Sequence, residues 1–291
     1  MFAPDEDRER RLREAAFHDQ WAASLDLDKT LVDETFTSIS AMENQFILAQ
    51  FGDLKGARIL DYGCGAAEAG VYFAKLGASV VGVDVSPGML ESARTLAGLH
   101  GVSIETRRVE GDRLPADDAE FDLVYGNGVL HHVNLEVVKP ELARVIRPGG
   151  TGCFIEPLAY NPAIDVYRHL ANTVRTRDER PLTFGDIESL ASCFEHVAHR
   201  EFWFLTLSVF LKFLLVDRVH PRKERYWKKI YTDAPRIASW FAPLRRMDDA
   251  LLGRWPALRS LCWTTVITAK RPRASCLGGR GAVEPGTAGA G

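Results

Sequence analysis

Between residues 57 and 157, short apolar runs alternate with amphipathic stretches. The runs at 58–62, 79–83, 102–107, 121–125 and 152–155 predict strands, and the stretches at about 66–76, 87–98 and 135–146 predict helices between them. Such alternation calls for right-handed βαβ crossovers and an α/β fold with a parallel, doubly wound sheet. Local punctuation agrees: Ser86–Pro87 combines a capping hydroxyl with proline at the first helical position, and Pro148–Gly149–Gly150 predicts a turn into the next strand. Upstream, Phe36, Ile39, Met42, Phe46 and Ala49 recur at helical spacing and predict one helix ending near Gly52, after a charged helical segment over about 5–30.

After Glu156 the pattern loosens. It predicts a helix over 185–194, a strand over 196–205, a helical insertion over 206–258 and a last strand over 261–269. From Arg271 onward the chain is rich in Gly, Ala and Pro and predicts a disordered tail. The resulting division is an N-terminal helical segment or lid (1–52), a core (53–205), an insertion (206–258), the closing strand (259–270) and the tail (271–291).

Composition narrows the class without deciding it. The 291 residues are 46% hydrophobic and 26% charged, with a net charge of −3, which excludes a low-complexity chain and argues against a general polyanion binder. Five cysteines (Cys64, Cys153, Cys193, Cys262 and Cys276) show no metal-ligand or disulfide spacing, so the expectation is reduced thiols, no metal and a cytoplasmic protein. The charged start lacks the apolar stretch of a signal peptide. The longest apolar run, 202–216, contains Lys212 and falls short of the roughly 20 residues of a spanning helix.

Ligands of open α/β sheets bind beyond the carboxyl ends of the strands, so the segments there carry the chemistry. In ILDYGCGAAEAG (59–70) a strand runs into a glycine loop and a helix. A dinucleotide fingerprint would place glycine at 68, where this chain has Glu68, and Asp61 precedes the first glycine. Carboxylates at that helix start repel a pyrophosphate and suit a cofactor with positive charge. S-adenosylmethionine, with an ammonium and a sulfonium, is such a cofactor. Asp84 ends the second strand, where a carboxylate can accept ribose hydroxyls; Asp112 in EGDRLP can accept from an adenine amino group. Asn127 and Gly128 open the loop after the fourth strand, and Glu156 ends the fifth.

With D-x-G-x-G, the acidic strand end, G-D-x-L-P, VLHHV and RVIRPGG in this order, residues 57–157 resemble the class I S-adenosylmethionine-dependent methyltransferases, in particular the small-molecule and quinone-type group. The resemblance implies a seven-stranded, Rossmann-like sheet whose last strand is antiparallel, with a helical cap. It also implies that Asp61, Gly63, Cys64 and Gly65 surround the methionine part, Asp84 the ribose, Val85 and Met89 the adenine face, Gly111 and Asp112 the adenine edge, and Asn127 and Gly128 the sulfonium. His131, His132 and Glu156 are the candidates for proton transfer, each with a structural reading beside it; Tyr160 and Trp203 are the candidates for acceptor contact. Cys64 has no base beside it and reads as a packing residue.

No N/D-P-P-Y or Pro-Cys segment follows the fourth strand, so nucleic acid is not the expected acceptor. Residues 202–246 place Arg218, Arg222, Lys223, Arg225, Lys228, Lys229, Arg245 and Arg246 among Tyr226, Trp227, Tyr231, Trp240 and Phe241. Two readings stay open: a lid with a solvated basic side, or a peripheral contact with an anionic membrane. Either favours a small hydrophobic acceptor (quinone-like, polyketide, terpenoid or lipid). The rival functions are an NAD(P)-dependent oxidoreductase and a non-catalytic methyltransferase-like scaffold.

Overall fold

A computed structural model describes residues 4–170, 179–222 and 224–277. Neighbouring apolar residues on the central strands serve opposite faces: Ile59, Val80, Leu123, Cys153 and Val266 join one buried cluster, and Leu60, Val81, Val124, Phe154 and Ile267 the other. A strand flanked by core on both sides must be apolar at both parities, which is why these segments read as continuous apolar runs.

The strands are β1 (Arg58–Tyr62), β2 (Ser79–Asp84), β3 (Glu105–Arg108), β4 (Phe121–Asn127), β5 (Ile146–Pro157), β6 (Phe194–Phe202) and β7 (Thr264–Pro272). They form one sheet in the order β3-β2-β1-β4-β5-β7-β6. Pairings among β1 to β5 are parallel, whereas β7 runs antiparallel to both β5 and β6. Helices α1 (Pro4–Ala22), α2 (Glu34–Thr37) and α3 (Met42–Phe51) precede β1; α4 (Glu68–Lys75), α5 (Pro87–Leu99) and α6 (Leu135–Val145) lie on the crossovers. Helices α7 (Pro162–Leu170) and α8 (Phe184–Ser189) lie between β5 and β6, α9 (Ser208–Leu211), α10 (Tyr226–Thr232) and α11 (Ala234–Arg254) between β6 and β7, and α12 (Ala274–Leu277) follows β7.

Several boundaries differ from the sequence pattern for identifiable reasons. The single helix expected before Gly52 is two, α2 and α3, because the intervening Ser40 is buried and its hydroxyl donates to the carbonyl of Ile230, 2.8 Å away in α10. Strand β3 starts at Glu105 because the Val102 N–H is used to close α5 on the Ala97 carbonyl. Pro148–Gly150 falls inside β5, where the register against β4 jumps; a Cβ on Gly150 would lie 2.7 Å from the Asp122 carbonyl oxygen, so the close approach needs glycine. The helix expected over 185–194 is α8 followed by a 3₁₀ turn at Leu190–Ser192, and its start carries a capping box between Thr183 and Asp186.

The tail does not begin at Arg271. Strand β7 continues to Pro272, α12 follows, and Cys276 forms a disulfide with Cys193. That pairing corrects the expectation of five free thiols; the partners are 83 residues apart, and spacing alone carries no sign of it. The remainder of the expected tail, 278–291, lies outside the described residues.

Residues 206–258 fold onto the sheet. Phe210, Phe213, Tyr226, Ile237 and Phe241 join the cluster formed by Phe36, Ile59 and Phe73. One buried side chain anchors the junction: Asp248 of α11 accepts from the N–H groups of Phe204 (3.3 Å), Leu205 (2.7 Å) and Thr206 (3.2 Å) and from the Thr206 hydroxyl (2.7 Å). Removing the carboxylate strands these donors in a buried turn. Asp248→Ala is therefore expected to lower the free energy of urea-induced unfolding by about 2–4 kcal/mol, and a wild-type value would contradict the anchoring role.

Candidate functional site

The carboxyl edge of the sheet is shaped by backbone that only unusual residues adopt. Between β1 and α4, Gly63 (φ 67°), Gly65 (φ 53°) and Ala67 (φ 58°) are all left-handed. A Cβ on Gly63 would lie 2.6 Å from Val129 Cγ2, so the loop after β1 and the loop after β4 touch at a point that admits no side chain. Asp84 holds the glycine loop from the next strand: Oδ2 accepts from Gly65 N (3.0 Å) and Oδ1 from Ser86 N (2.9 Å). Asp61 Oδ2 accepts from Gly70 N at 2.9 Å. Burial pushes the Asp61 carboxyl up to about 7, with Glu68 and Asp84 adding like charge, and burial also raises Asp84.

These groups open onto a cavity of ≈ 690 Å³. Every residue assigned from the sequence to the cofactor, from Asp61 through Asp84 and Asp112 to Gly128, lines it. So do His131, His132, Glu156 and Trp203. Tyr160 does not: it is 39% exposed, stacks on Phe184, and accepts from Phe184 N at 2.9 Å. Asp112 is ion-paired with Arg11 of α1 at 2.5 Å. Burial drives the Cys64 thiol well above its ordinary value, which removes the thiolate a nucleophile would need.

Glu156 is fully enclosed, and both of its oxygens are engaged. Oε1 accepts from Val129 N (3.0 Å) and Leu130 N (2.7 Å); Oε2 accepts from His131 N (3.2 Å) and contacts His131 Nδ1 at 2.7 Å. Such a carboxylate holds the 3₁₀ turn Leu130–His132 in place, with both oxygens already committed to that turn. His132 lies against α1 instead, with Nδ1 3.3 Å from Glu14 Oε1.

The opposite wall joins Trp203, a candidate from the sequence, to Glu43, Asn44 and Thr264, which the sequence did not single out. Glu43, in the first turn of α3, accepts from Trp203 Nε1 (2.5 Å) and Thr264 Oγ1 (2.8 Å), and burial raises its carboxyl. Trp203 itself has φ 67°, a strained conformation for a tryptophan. Asn44 accepts from the Tyr125 hydroxyl at 2.9 Å. Above the cavity, α1 meets α10: Arg225, just before α10, lies 3.6 Å from the Trp21 ring centre and Lys228 Nζ 5.4 Å from it, and Lys228 Nζ also lies 3.2 Å from Glu68 Oε1 at the start of α4. Helix α1 is fixed by Asp19, whose Oδ1 accepts from Ser86 Oγ (2.6 Å) and Gly88 N (2.9 Å) at the start of α5.

Residues 60–154 match the family model of a methyltransferase domain. That segment carries a methyltransferase domain. Over 98 residues it is 39% identical to a ubiquinone biosynthesis O-methyltransferase of Rhizobium etli, covering 33% of this chain and 40% of that protein, so the match spans well under two thirds of its relative. Solved methyltransferases share the fold at low identity. The geranyl diphosphate C-methyltransferase of Streptomyces coelicolor superposes with a TM-score of 0.52 at 14% identity, over 80% of this chain and 79% of that one. Phosphoethanolamine N-methyltransferase 2 of Haemonchus contortus gives 0.52 at 19% identity, over 80% and 53%.

The Glu156 network gives a direct test. Glu156→Gln replaces one acceptor oxygen with an NH₂ facing donors, and unfolding free energy is expected to fall by about 2–4 kcal/mol. Unchanged stability would show that Glu156 does not organise the turn.

Proposed function

We propose that the protein binds S-adenosylmethionine and transfers its methyl group to a small hydrophobic acceptor. The observation that carries this reading is the pair of buried carboxylates, Asp61 and Asp84, flanking a glycine loop at the carboxyl edge of the sheet. A pyrophosphate would meet negative charge there, which counts against the dinucleotide-dependent alternative; an ammonium and a ribose meet acceptors. Asp84 spends one lone pair of each oxygen on backbone N–H groups, and the remaining pairs suit two ribose hydroxyls.

The transfer is a displacement at carbon. A lone pair of the acceptor forms the new bond to the methyl group, the C–S bond breaks with its electrons going to sulfur, and S-adenosylhomocysteine leaves. A proton lost from an O–H or N–H acceptor passes to a base or to water. Orientation and exclusion of water supply the acceleration, which suits a cavity roofed by α1 and α10. Aromatic walls from Phe17, Trp21, Phe36, Trp203 and Trp227 favour an apolar acceptor, and a quinone-like ring agrees with the name of the Rhizobium relative. The relatives and structural neighbours include O-, C- and N-methyltransferases, so the acceptor atom is set by residues outside the shared fold.

In calorimetric titration with S-adenosylhomocysteine, Asp84→Ala is expected to weaken binding at least tenfold, about 1.4 kcal/mol. Because Asp61 titrates near 7 and must be ionised to attract the ammonium, wild-type affinity should fall severalfold as pH drops from 8 to 6, and Asp61→Asn should flatten that slope. Wild-type affinity in a folded Asp84→Ala protein would remove Asp84 from the site.

Residues 202–246 support a role at a membrane surface as well as a roof. Among the described residues no helix is long and apolar enough to cross a membrane. Leu211, Leu215 and Val216 are 59%, 69% and 71% exposed at one tip, beside the exposed Arg218 and Arg222. An apolar tip flanked by cations fits the interface of an anionic bilayer. The chain should co-sediment with phosphatidylglycerol vesicles and poorly with phosphatidylcholine vesicles, and Leu215→Glu with Val216→Glu should abolish the difference. Binding unaffected by that double substitution would place the contact elsewhere.

A further inference from the structure

The buried carboxylate on the wall opposite the glycine loop is engaged by the protein's side chains through one oxygen only. Glu43, in the first turn of α3, is 6% exposed and lines the cavity. Its two side-chain donors, Trp203 Nε1 (2.5 Å) and Thr264 Oγ1 (2.8 Å), both go to Oε1, and among the described residues no side chain donates to Oε2. A buried carboxylate oxygen is costly until a ligand supplies a donor. We propose that Glu43 is the general base of the methyl transfer, its Oε2 taking the hydroxyl proton of a hydroxylated aromatic acceptor as that hydroxyl oxygen takes the methyl group. This assignment rests on the methyl-transfer reading.

The sheet places Glu43 across the site from the glycine loop. Asp61 pairs with Tyr125 and Asn127 with Ile155; Pro157, two residues further along β5, pairs with Thr264. Strand side chains alternate, so Asp61, Asn127, Ile155, Pro157 and Thr264 share one face of the sheet, and Glu43 reaches that face through Thr264. Two strand spacings, roughly 10 Å, separate Asn127 from Thr264. That span admits one six-membered ring between the carboxylate and the sulfonium assigned to Asn127 and Gly128. Trp203 and Trp263, 5.9 Å apart between ring centres, line the cavity together with Tyr125 and Tyr231. Aromatic walls with a single carboxylate among them suit a flat ring that carries a hydroxyl.

Charge favours this course for the proton. The acceptor O–H bond breaks with its electrons left on oxygen, and the proton joins Oε2. An oxygen lone pair forms the bond to the methyl group while the C–S electrons pass to sulfur. A sulfonium and a carboxylate are thereby replaced by a sulfide, a methyl ether and a neutral carboxyl. Opposite charges disappear together, a change that suits a site closed to water. Burial raises the Glu43 carboxyl and so makes it a stronger base than an exposed glutamate, while the bonds from Thr264 and Trp203 and the charge of Arg245 in α11 favour its ionised form. The other titratable groups acting on it are Tyr125 of β4 and Tyr231 of α10, both held in the protonated form by burial. Glu43 passes its proton to water as the ether leaves.

The test uses the full chain, with 4-tert-butylcatechol as the probe acceptor and its dimethyl ether as control. Titrated calorimetrically under saturating S-adenosylhomocysteine, the catechol should bind the wild type at least about tenfold more tightly than the ether, because only the catechol can donate to the carboxylate. Glu43→Gln should bring the two within about threefold and change S-adenosylhomocysteine affinity by less than about twofold. In single turnovers with S-adenosylmethionine, methyl transfer to the catechol should slow at least about 100-fold in Glu43→Gln and less in Glu43→Asp, which keeps a base. A residue that only held Trp203 and Thr264 would give the reverse order, since glutamine keeps both the length and the accepting oxygen. Equal binding of catechol and ether by the wild type, a wild type that leaves the bound catechol unmethylated, or Glu43→Gln as fast as Glu43→Asp would overturn the proposal. A protein that ignores S-adenosylhomocysteine yet loses its catechol preference in Glu43→Gln would overturn methyl transfer and keep Glu43 as the acceptor of a ligand hydroxyl.

Discussion

A carboxylate buried at the end of a strand, its oxygens spent on backbone N–H groups, is the device on which the rest of this structure depends. Asp84 at the end of β2 holds the glycine loop through Gly65 N, and Glu156 in β5 holds the turn after β4 through three consecutive amides. Asp248 does the same for the chain entering the insertion. Each carboxylate pays a desolvation cost that only a set of well-placed donors offsets, so the loops have one acceptable shape. That requirement explains why the glycine loop and the loop after β4 approach closely enough to exclude a Cβ at Gly63. It also turns negative charge toward the cavity, as the proposed binding of S-adenosylmethionine requires.

The parts of the fold that were legible in sequence are those whose reasons are local. Strands β1, β2 and β4 begin where the apolar runs begin, because a doubly covered strand needs apolar residues at both parities. The break between α2 and α3 has a distant cause, the hydrogen bond from Ser40 to Ile230, and no window of neighbouring residues contains it. The disulfide between Cys193 and Cys276 is hidden for the same reason, since it depends on Arg273 N donating to the Cys193 carbonyl at the far end of β7.

The candidate site divides along the same line. The half assigned to the cofactor is carried by short segments at the ends of successive strands, and those segments could be read in order. The other half is assembled from α1, α3, α10 and the ends of β6 and β7, which meet only after folding. Besides Trp203, Glu43 offered a signal, a lone acid beside an apolar helix face; its meaning depends on Trp203 and Thr264, both far along the chain. Tyr160 shows the opposite error: proximity in sequence to Glu156 suggested the acceptor pocket, but its hydroxyl is committed to Phe184. The roof shows why the division matters, because Arg225 stacked on Trp21 joins the insertion after β6 to the first helix of the chain. Burial lowers that guanidinium to about 10, the cost of placing it against the ring.

The central claim is that this cavity is built for S-adenosylmethionine. Its most direct test is calorimetric titration of the purified wild-type chain with S-adenosylhomocysteine, with NADH titrated in parallel. The account predicts saturable micromolar binding of S-adenosylhomocysteine at one site and no heat from NADH. Binding of NADH, or a folded protein that binds neither, would contradict it.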